Sequence, residues 1–108
     1  MASVKEALEE LVKKFDSDAA KDWDRVIQIT IAGEGGGAWH IVVKDQKCSL
    51  HEGEHGSPDL KLDTDVDTWT GLLSGKVDGM SAYMSGQLKA EGDMSDLMKI
   101  GSVFPGLF

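Results

Sequence analysis

The sequence is poor in residues that mark several classes of protein. Its 108 residues include one cysteine, two prolines and no long apolar run. Because Cys48 has no second cysteine to pair with, no internal disulfide can form, and a reducing, cytoplasmic setting is predicted. The N-terminal stretch carries charges from Lys5 onward and has no apolar core, so no secretory signal is expected. No segment is apolar for long enough to predict integral membrane insertion.

Positive charge is scarce as well. The chain has 11 basic residues against 19 acidic ones, a net charge of −8, and Arg25 is its single arginine. Proteins that bind nucleic acids neutralise phosphates with clustered lysine and arginine, so no nucleic-acid partner is predicted. An anionic membrane surface would repel the average face of this protein, which leaves at most transient membrane contact.

Apolar periodicity divides the chain into helices and strands within one domain, residues 1–108. A helix is predicted over residues 3–15, with capping-box spacing between Ser3 and Glu6. Alternation of period two then predicts strands near residues 25–31, 39–43 and 48–51, which form an antiparallel meander, and near 59–63 and 87–91. Three more helices are predicted to begin near residues 64, 78 and 93, each after an aspartate or threonine cap, and to end at Gly75, Gly86 and Gly101.

Two motifs resemble catalytic or cofactor signatures. His51, Glu52 and His55 match H-E-x-x-H, in which a helix brings two histidines to one face around zinc. Here the match straddles a strand end and a glycine-containing loop, so a solvated turn is favoured over a zinc hydrolase. Gly33-x-Gly35-x-x-Ala38 resembles a dinucleotide loop, but a strand follows it where that motif requires a helix. No metal and no cofactor are therefore predicted, and no other catalytic pairing is recognisable.

Two runs of sequence resemble the sterol carrier protein type 2 family. Residues 72–76 (LLSGK) and 82–94 (AYMSGQLKAEGDM) resemble the family's run TGK…A-[FY]-M-x-G-K-L-K-I-x-G-[ND]-M. Residues 33–47 (GEGGGAWHIVVKDQK) resemble its hairpin, with Trp39 on the family's tryptophan. Gln46 departs from this pattern, because it replaces the usual turn glycine. The order of elements matches over nearly the whole chain.

The resemblance implies an α+β fold, with a five-stranded, mostly antiparallel mixed sheet and helices covering one face. It also implies a tunnel between sheet and helices that holds a fatty acid, an acyl-CoA, a sterol or a similar lipid without chemistry on it. The protein is thus expected to be a lipid carrier rather than an enzyme.

A set of apolar residues is predicted to line the lipid site. The strand members are branched aliphatics, and the helical members include four of the five methionines, whose flexible side chains suit ligands of varied shape. The predicted set is Ile29, Ile31, Trp39, Ile41, Trp69, Leu72, Leu73, Met80, Tyr83, Met84, Met94, Leu97, Met98 and Phe104. A methionine stripe can also be plain core.

Two alternative functions stay open. The weaker one is a zinc hydrolase that uses His51, Glu52 and His55. The chain can be a non-catalytic subunit whose apolar pocket or tail recognises another protein, including a second copy in a homodimer. The tail around Phe104, Leu107 and Phe108 is apolar for a free terminus, and it can form a lid over the pocket, an interface or a frayed end.

Overall fold

The structure is a computed structural model that describes residues 4–104. Within this range the chain forms four helices and five strands. In order they are α1 Val4–Lys13, β1 Arg25–Ala32, β2 Gly37–Lys44, β3 Lys47–Glu52, β4 Leu60–Asp65, α2 Val66–Ser74, α3 Gly79–Ser85, β5 Lys89–Glu91 and α4 Met94–Val103.

The five strands form one mixed sheet in the order β3-β2-β1-β4-β5. The pairing of β1 with β4 is parallel, and the other three pairings are antiparallel. This architecture confirms the predicted α+β fold with a mostly antiparallel sheet.

One face of the sheet is closed by the helices. Alternate residues of β1, β2 and β4 point into this core and are at most 2% exposed. They are Ile27, Ile29, Ile31, Ile41, Val43, Leu60 and Leu62. The intervening positions on β2 and β3, such as His40 and Ser49, lie on the opposite face. The period-two pattern of the sequence therefore sets which face is buried.

The helix caps follow the sequence pattern. Asp65, Asp78 and Asp93 are the N-caps of α2, α3 and α4, and each side chain accepts a hydrogen bond from a backbone N–H of the first turn. Gly75 and Gly86 end α2 and α3 in the left-handed conformation, as predicted.

The β2–β3 turn explains how the chain tolerates its departure from the family hairpin. Asp45 and Gln46 both have positive φ, at 52° and 61°. A two-residue turn with both φ positive matches the twist of the flanking strands. Gln46 thus takes the conformation that a glycine would take there more easily.

Several predicted boundaries are wrong. Helix α1 ends at Lys13 rather than at residue 15, β4 spans Leu60–Asp65 rather than 59–63, and β5 begins at Lys89 rather than at residue 87. Helix α4 continues past Gly101 to Val103. Ser3, the predicted cap of α1, lies outside the described residues.

The tail does not begin with an exposed aromatic side chain. Phe104 is 1% exposed, and its ring centroid lies 5.5 Å from that of Phe15. The backbone N–H of Asp16 also donates to the carbonyl of Val103, at 2.8 Å. The end of α4 is therefore tied to the segment after α1 and belongs to the core. Leu107 and Phe108 lie outside the described residues, so the lid hypothesis is not tested there.

Candidate functional site

Four methionines of α3 and α4 are exposed although the core beside them is closed. Met80, Met84, Met94 and Met98 are 63%, 78%, 57% and 72% exposed. Scattered apolar side chains on a surface are ordinary, but a cluster of large ones on two adjacent elements marks an interaction site.

Part of this cluster lines a cleft between α3, β5 and α4. The cleft has a volume of about 290 Å³ and is open to solvent. Its lining is almost entirely apolar and consists of Asp78, Met80, Tyr83, Ala90, Met94, Leu97 and Met98. This volume lies near the lower end of the range for small-molecule pockets, roughly 300–1,000 Å³.

Helical spacing directs these side chains into the cleft. Met80 and Tyr83 are three residues apart on α3, so they share one face of that helix. On α4, Leu97 and Met98 follow Met94 at spacings of three and four residues and share a face in the same way. Ala90 of β5 lies between the two helices and leaves room because its side chain is small.

The opposite faces of the two helices hold them on the domain. Ala82 of α3 is fully buried, and its carbonyl accepts a hydrogen bond from Leu88 N–H at 3.0 Å. On α4, Ile100 and Val103 are fully buried. Each helix therefore presents one face to the core and the other to the cleft.

A polar junction fixes the first turn of α4. The Asp96 carboxylate accepts hydrogen bonds from Trp23 Nε1 at 3.0 Å and from Arg25 Nε at 2.8 Å. The hydrogen bond from Arg25 holds the pKa of Asp96 below its usual range, and Asp96 in turn raises the pKa of Arg25. The arginine also lies over the Trp23 ring, with its guanidinium carbon 5.7 Å from the ring centroid. These contacts tie one wall of the cleft to β1.

Among the described residues that line the cleft, Asp78 carries the one charged side chain. Its Oδ2 accepts hydrogen bonds from the Ser81 backbone N–H at 3.0 Å and the Ser81 hydroxyl at 3.1 Å. The described lining residues include no lysine, arginine or histidine. The arrangement suits contact with an apolar molecule and offers no basic side chain to hold an anion.

The sequence matches the SCP-2 sterol transfer family over residues 4–105, nearly its whole length. The chain belongs to that family.

The chain matches one part of longer relatives. The chain is 26% identical over 101 residues to hydroxysteroid dehydrogenase-like protein 2 of Xenopus laevis, covering 93% of this chain but 24% of that protein. It therefore spans about a quarter of the length of such relatives.

Solved structures share the fold. Palmitated SCP2L2 from Aedes aegypti superposes with a TM-score of 0.75 at 21% identity, and 94% of each chain is covered. A double mutant of the sec-alkyl sulfatase PisA1 gives a TM-score of 0.83 at 15% identity, covering 95% of this chain and 16% of the sulfatase.

The SCP-2 fold places most of the predicted lipid-site residues either in the cleft or in the core. Five of them lie together in the cleft: Met80, Tyr83, Met94, Leu97 and Met98. Seven are buried in the core and do not line the cleft, namely Ile29, Ile31, Trp39, Ile41, Trp69, Leu72 and Phe104. Leu73 is half-buried against that core, and Met84 is exposed beside the cleft. A ligand role for any of these residues stays a prediction.

The H-E-x-x-H match takes a different form from a zinc-peptidase helix. His51 and Glu52 end β3, and His55 lies in the following loop. The rings of His51 and His55 pack against His40, with centroids 5.0 Å and 5.2 Å apart. Glu52 pairs with Lys5 at 3.2 Å. Within residues 4–104, no group of three or more metal-ligating side chains is arranged to hold an ion.

Two features of this SCP-2 domain were not anticipated from sequence. Asp78 is recognisable as a helix cap, but its place at the cleft depends on how α3 packs. Trp23 stands between two aspartates in the sequence, yet it is 6% exposed. Its loop has no apolar periodicity from which that burial could be inferred.

No helix within residues 4–104 is long and apolar enough to cross a membrane.

Proposed function

We propose that this chain binds an apolar lipid in the cleft between α3, β5 and α4, and carries it without chemical change. One observation carries the proposal: exposed methionines on two anchored helices converge on a concave, almost wholly apolar surface. Membership of the SCP-2 sterol transfer family supports lipid binding in general, and a relative of the same fold has been studied in a palmitated form.

The size of the cleft bounds the affinity. Burying an alkyl chain of ~14 methylenes is worth ~11 kcal/mol before the cost of association. A volume of about 290 Å³ is modest for such an alkyl chain. Part of the alkyl chain would therefore stay in contact with solvent, unless the helices separate to admit it. We therefore expect affinities near the micromolar range, about −8 kcal/mol.

The predicted tunnel would lie where the core residues are buried. Among the described residues, the aliphatic floor of the sheet and Trp69 are almost completely buried. If a ligand enters that region, the helices that cover the sheet must move away from it. We propose the open cleft as the entry point and the core residues as a deeper site that only a long ligand would reach.

The chain resembles parts of longer proteins whose names refer to enzymes. The similarity to parts of a hydroxysteroid dehydrogenase-like protein and a sec-alkyl sulfatase supports a role in presenting apolar substrates to a catalytic unit. We propose that this chain itself does no catalysis, and the unpaired thiol of Cys48 suits a cytoplasmic location.

The test combines binding with turnover. An uncharged fluorescent alkyl probe should bind with one-to-one stoichiometry, and native mass spectrometry of protein from its own cells should detect a lipid adduct. Acyl-CoA and alkyl ester substrates should remain intact over hours. Absence of any probe or lipid binding would reject the proposal, and robust turnover would reject its non-catalytic part.

A second candidate is docking of a partner protein or a second copy on the methionine cluster. The exposure of Met84, which lies outside the cleft, favours it. In native mass spectra, a protein partner or a dimer in place of a lipid adduct would support this candidate.

A further inference from the structure

We infer that Asp78 is a specificity-determining residue that selects against anionic head groups, so that the cleft takes uncharged amphiphiles in preference to free fatty acids. This inference rests on the proposed lipid-binding function and names the ligand class within it. It depends on the distribution of charge around the cleft.

Asp78 is positioned by its capping role. As the N-cap of α3, it must place its carboxylate beside the first turn, where Oδ2 accepts from the N–H and hydroxyl of Ser81. The same residue lines the cleft. The Ser81 N–H is thus already used by Asp78, and a ligand carboxylate would meet a negative charge there.

No basic side chain among the described lining residues offsets that charge. Two lysines do lie on the elements that build the cleft. Lys89 precedes Ala90 on β5 and therefore points to the other side of the strand. Lys99 follows Met98 on α4 and is rotated by about 100° from it around the helix axis.

Among the described lining residues, the other polar side-chain group is the hydroxyl of Tyr83, whose side chain is partly exposed. A phenol can both donate and accept a hydrogen bond, so it accommodates an alcohol, an ester or an amide. An uncharged head group consequently finds a compatible partner, whereas a carboxylate encounters Asp78 without a balancing cation.

The experiment compares two ligands with the same alkyl chain. Palmitate and hexadecan-1-ol, both below their aggregation limits, are titrated in competition with an uncharged fluorescent alkyl probe. The variant is Asp78→Asn, because asparagine caps helices as well as aspartate does. The control is Asp67→Asn, which removes one negative charge from an exposed position of α2 outside the cleft.

Asp78→Asn should tighten palmitate binding by about 3- to 10-fold, the effect expected for two unit charges ~6 Å apart in a largely aqueous setting. Hexadecan-1-ol binding should change by less than about twofold, since its head group carries no charge. Asp67→Asn should change neither affinity. The gain for palmitate should shrink at high salt, where the screening length falls to about 3 Å.

If Asp78→Asn changes the affinity for both ligands equally, or leaves the affinity for palmitate unchanged, the inference is overturned while the proposal of lipid binding stands. Failure of the wild-type protein to bind the probe or either ligand would reject the proposed function and this inference with it. If Asp78→Asn lowers the unfolding midpoint, Asp78→Ser supplies a second capping residue without charge. The affinities of palmitate and hexadecan-1-ol for Asp78→Ser then test the inference in the same way.

Discussion

Exposed methionines on the same two helices differ in what they face. Met80, Met94 and Met98 line the cleft, whereas Met84 does not line it and is 78% exposed. All four are exposed by more than half of their surface, so none contributes much to the stability of the core. The chain therefore offers a pair of positions at which ligand binding can be separated from folding.

Met98→Glu should weaken binding of an uncharged alkyl probe by about tenfold or more, because a ligand in the cleft would bury an unpaired carboxylate. Met84→Glu adds the same charge at a similarly exposed position and should leave affinity within about twofold. Fluorescence titration measures the affinity of both variants for the probe, and thermal unfolding measures their stability. Equal loss of affinity would move the ligand away from the cleft.

The Asp96 carboxylate links stability to pH. Its pKa is lowered in the folded protein, chiefly by the hydrogen bond from Arg25. A depressed carboxylate pKa contributes stability that is fully present above the unfolded value, about 4, and is lost as the pH falls through the folded value. Asp96→Asn should therefore cost about 1–3 kcal/mol at neutral pH.

The difference in unfolding free energy between wild type and Asp96→Asn should shrink as the pH is lowered below about 4, since both proteins then carry an uncharged group. Urea denaturation at a series of pH values tests this. A difference that is constant down to the lowest pH would contradict the account.

Among the secondary-structure elements, α4 departs most from its predicted extent. Gly101 is a reasonable helix stop by sequence alone, because glycine commonly follows a helix end. The helix nevertheless continues, since Ile100, Val103 and Phe104 are buried and their contacts outweigh the cost of one glycine. Tertiary packing of this kind leaves no local signal in the sequence.

Phe104→Ala should lower the free energy of unfolding by about 3–5 kcal/mol, because it removes a fully buried aromatic ring that packs on Phe15. Phe15→Ala, at a half-buried position, should cost less. Chemical denaturation measures both. If Phe104 acted as a lid instead, its removal would speed ligand release and leave the unfolding midpoint nearly unchanged.

Most elements could be predicted from the sequence because their signals are local. Alternating isoleucines fixed the inward face of β1, and capping aspartates together with Gly75 and Gly86 marked α2 and α3. The site could be predicted only in part. Met98 and Leu72 both recur at helical spacing, yet one lines a cleft and the other a closed core. That difference is set by the space between elements, which periodicity does not encode.

For the molecule as a whole, a ligand that binds the folded state must also stabilise it. The cleft is formed by α3, β5 and α4 together, and it does not exist in the unfolded chain. At a free ligand concentration of 100 times Kd, binding adds about 2.7 kcal/mol to the free energy of unfolding. For a domain of this size, that corresponds to an increase in Tm of roughly 10–20 °C.

We therefore expect an uncharged alkyl ligand at this concentration to raise Tm by that amount in the wild-type protein and in Met84→Glu. At the same ligand concentration, a tenfold weaker affinity should reduce the increase in Met98→Glu to about half or less. Differential scanning fluorimetry over a range of ligand concentrations tests it, because linkage requires Tm to keep rising with concentration after the site is filled. A ligand that reports binding by fluorescence but leaves Tm constant must bind folded and unfolded chains alike. Such an outcome would show that the ligand does not bind in the cleft of the folded protein.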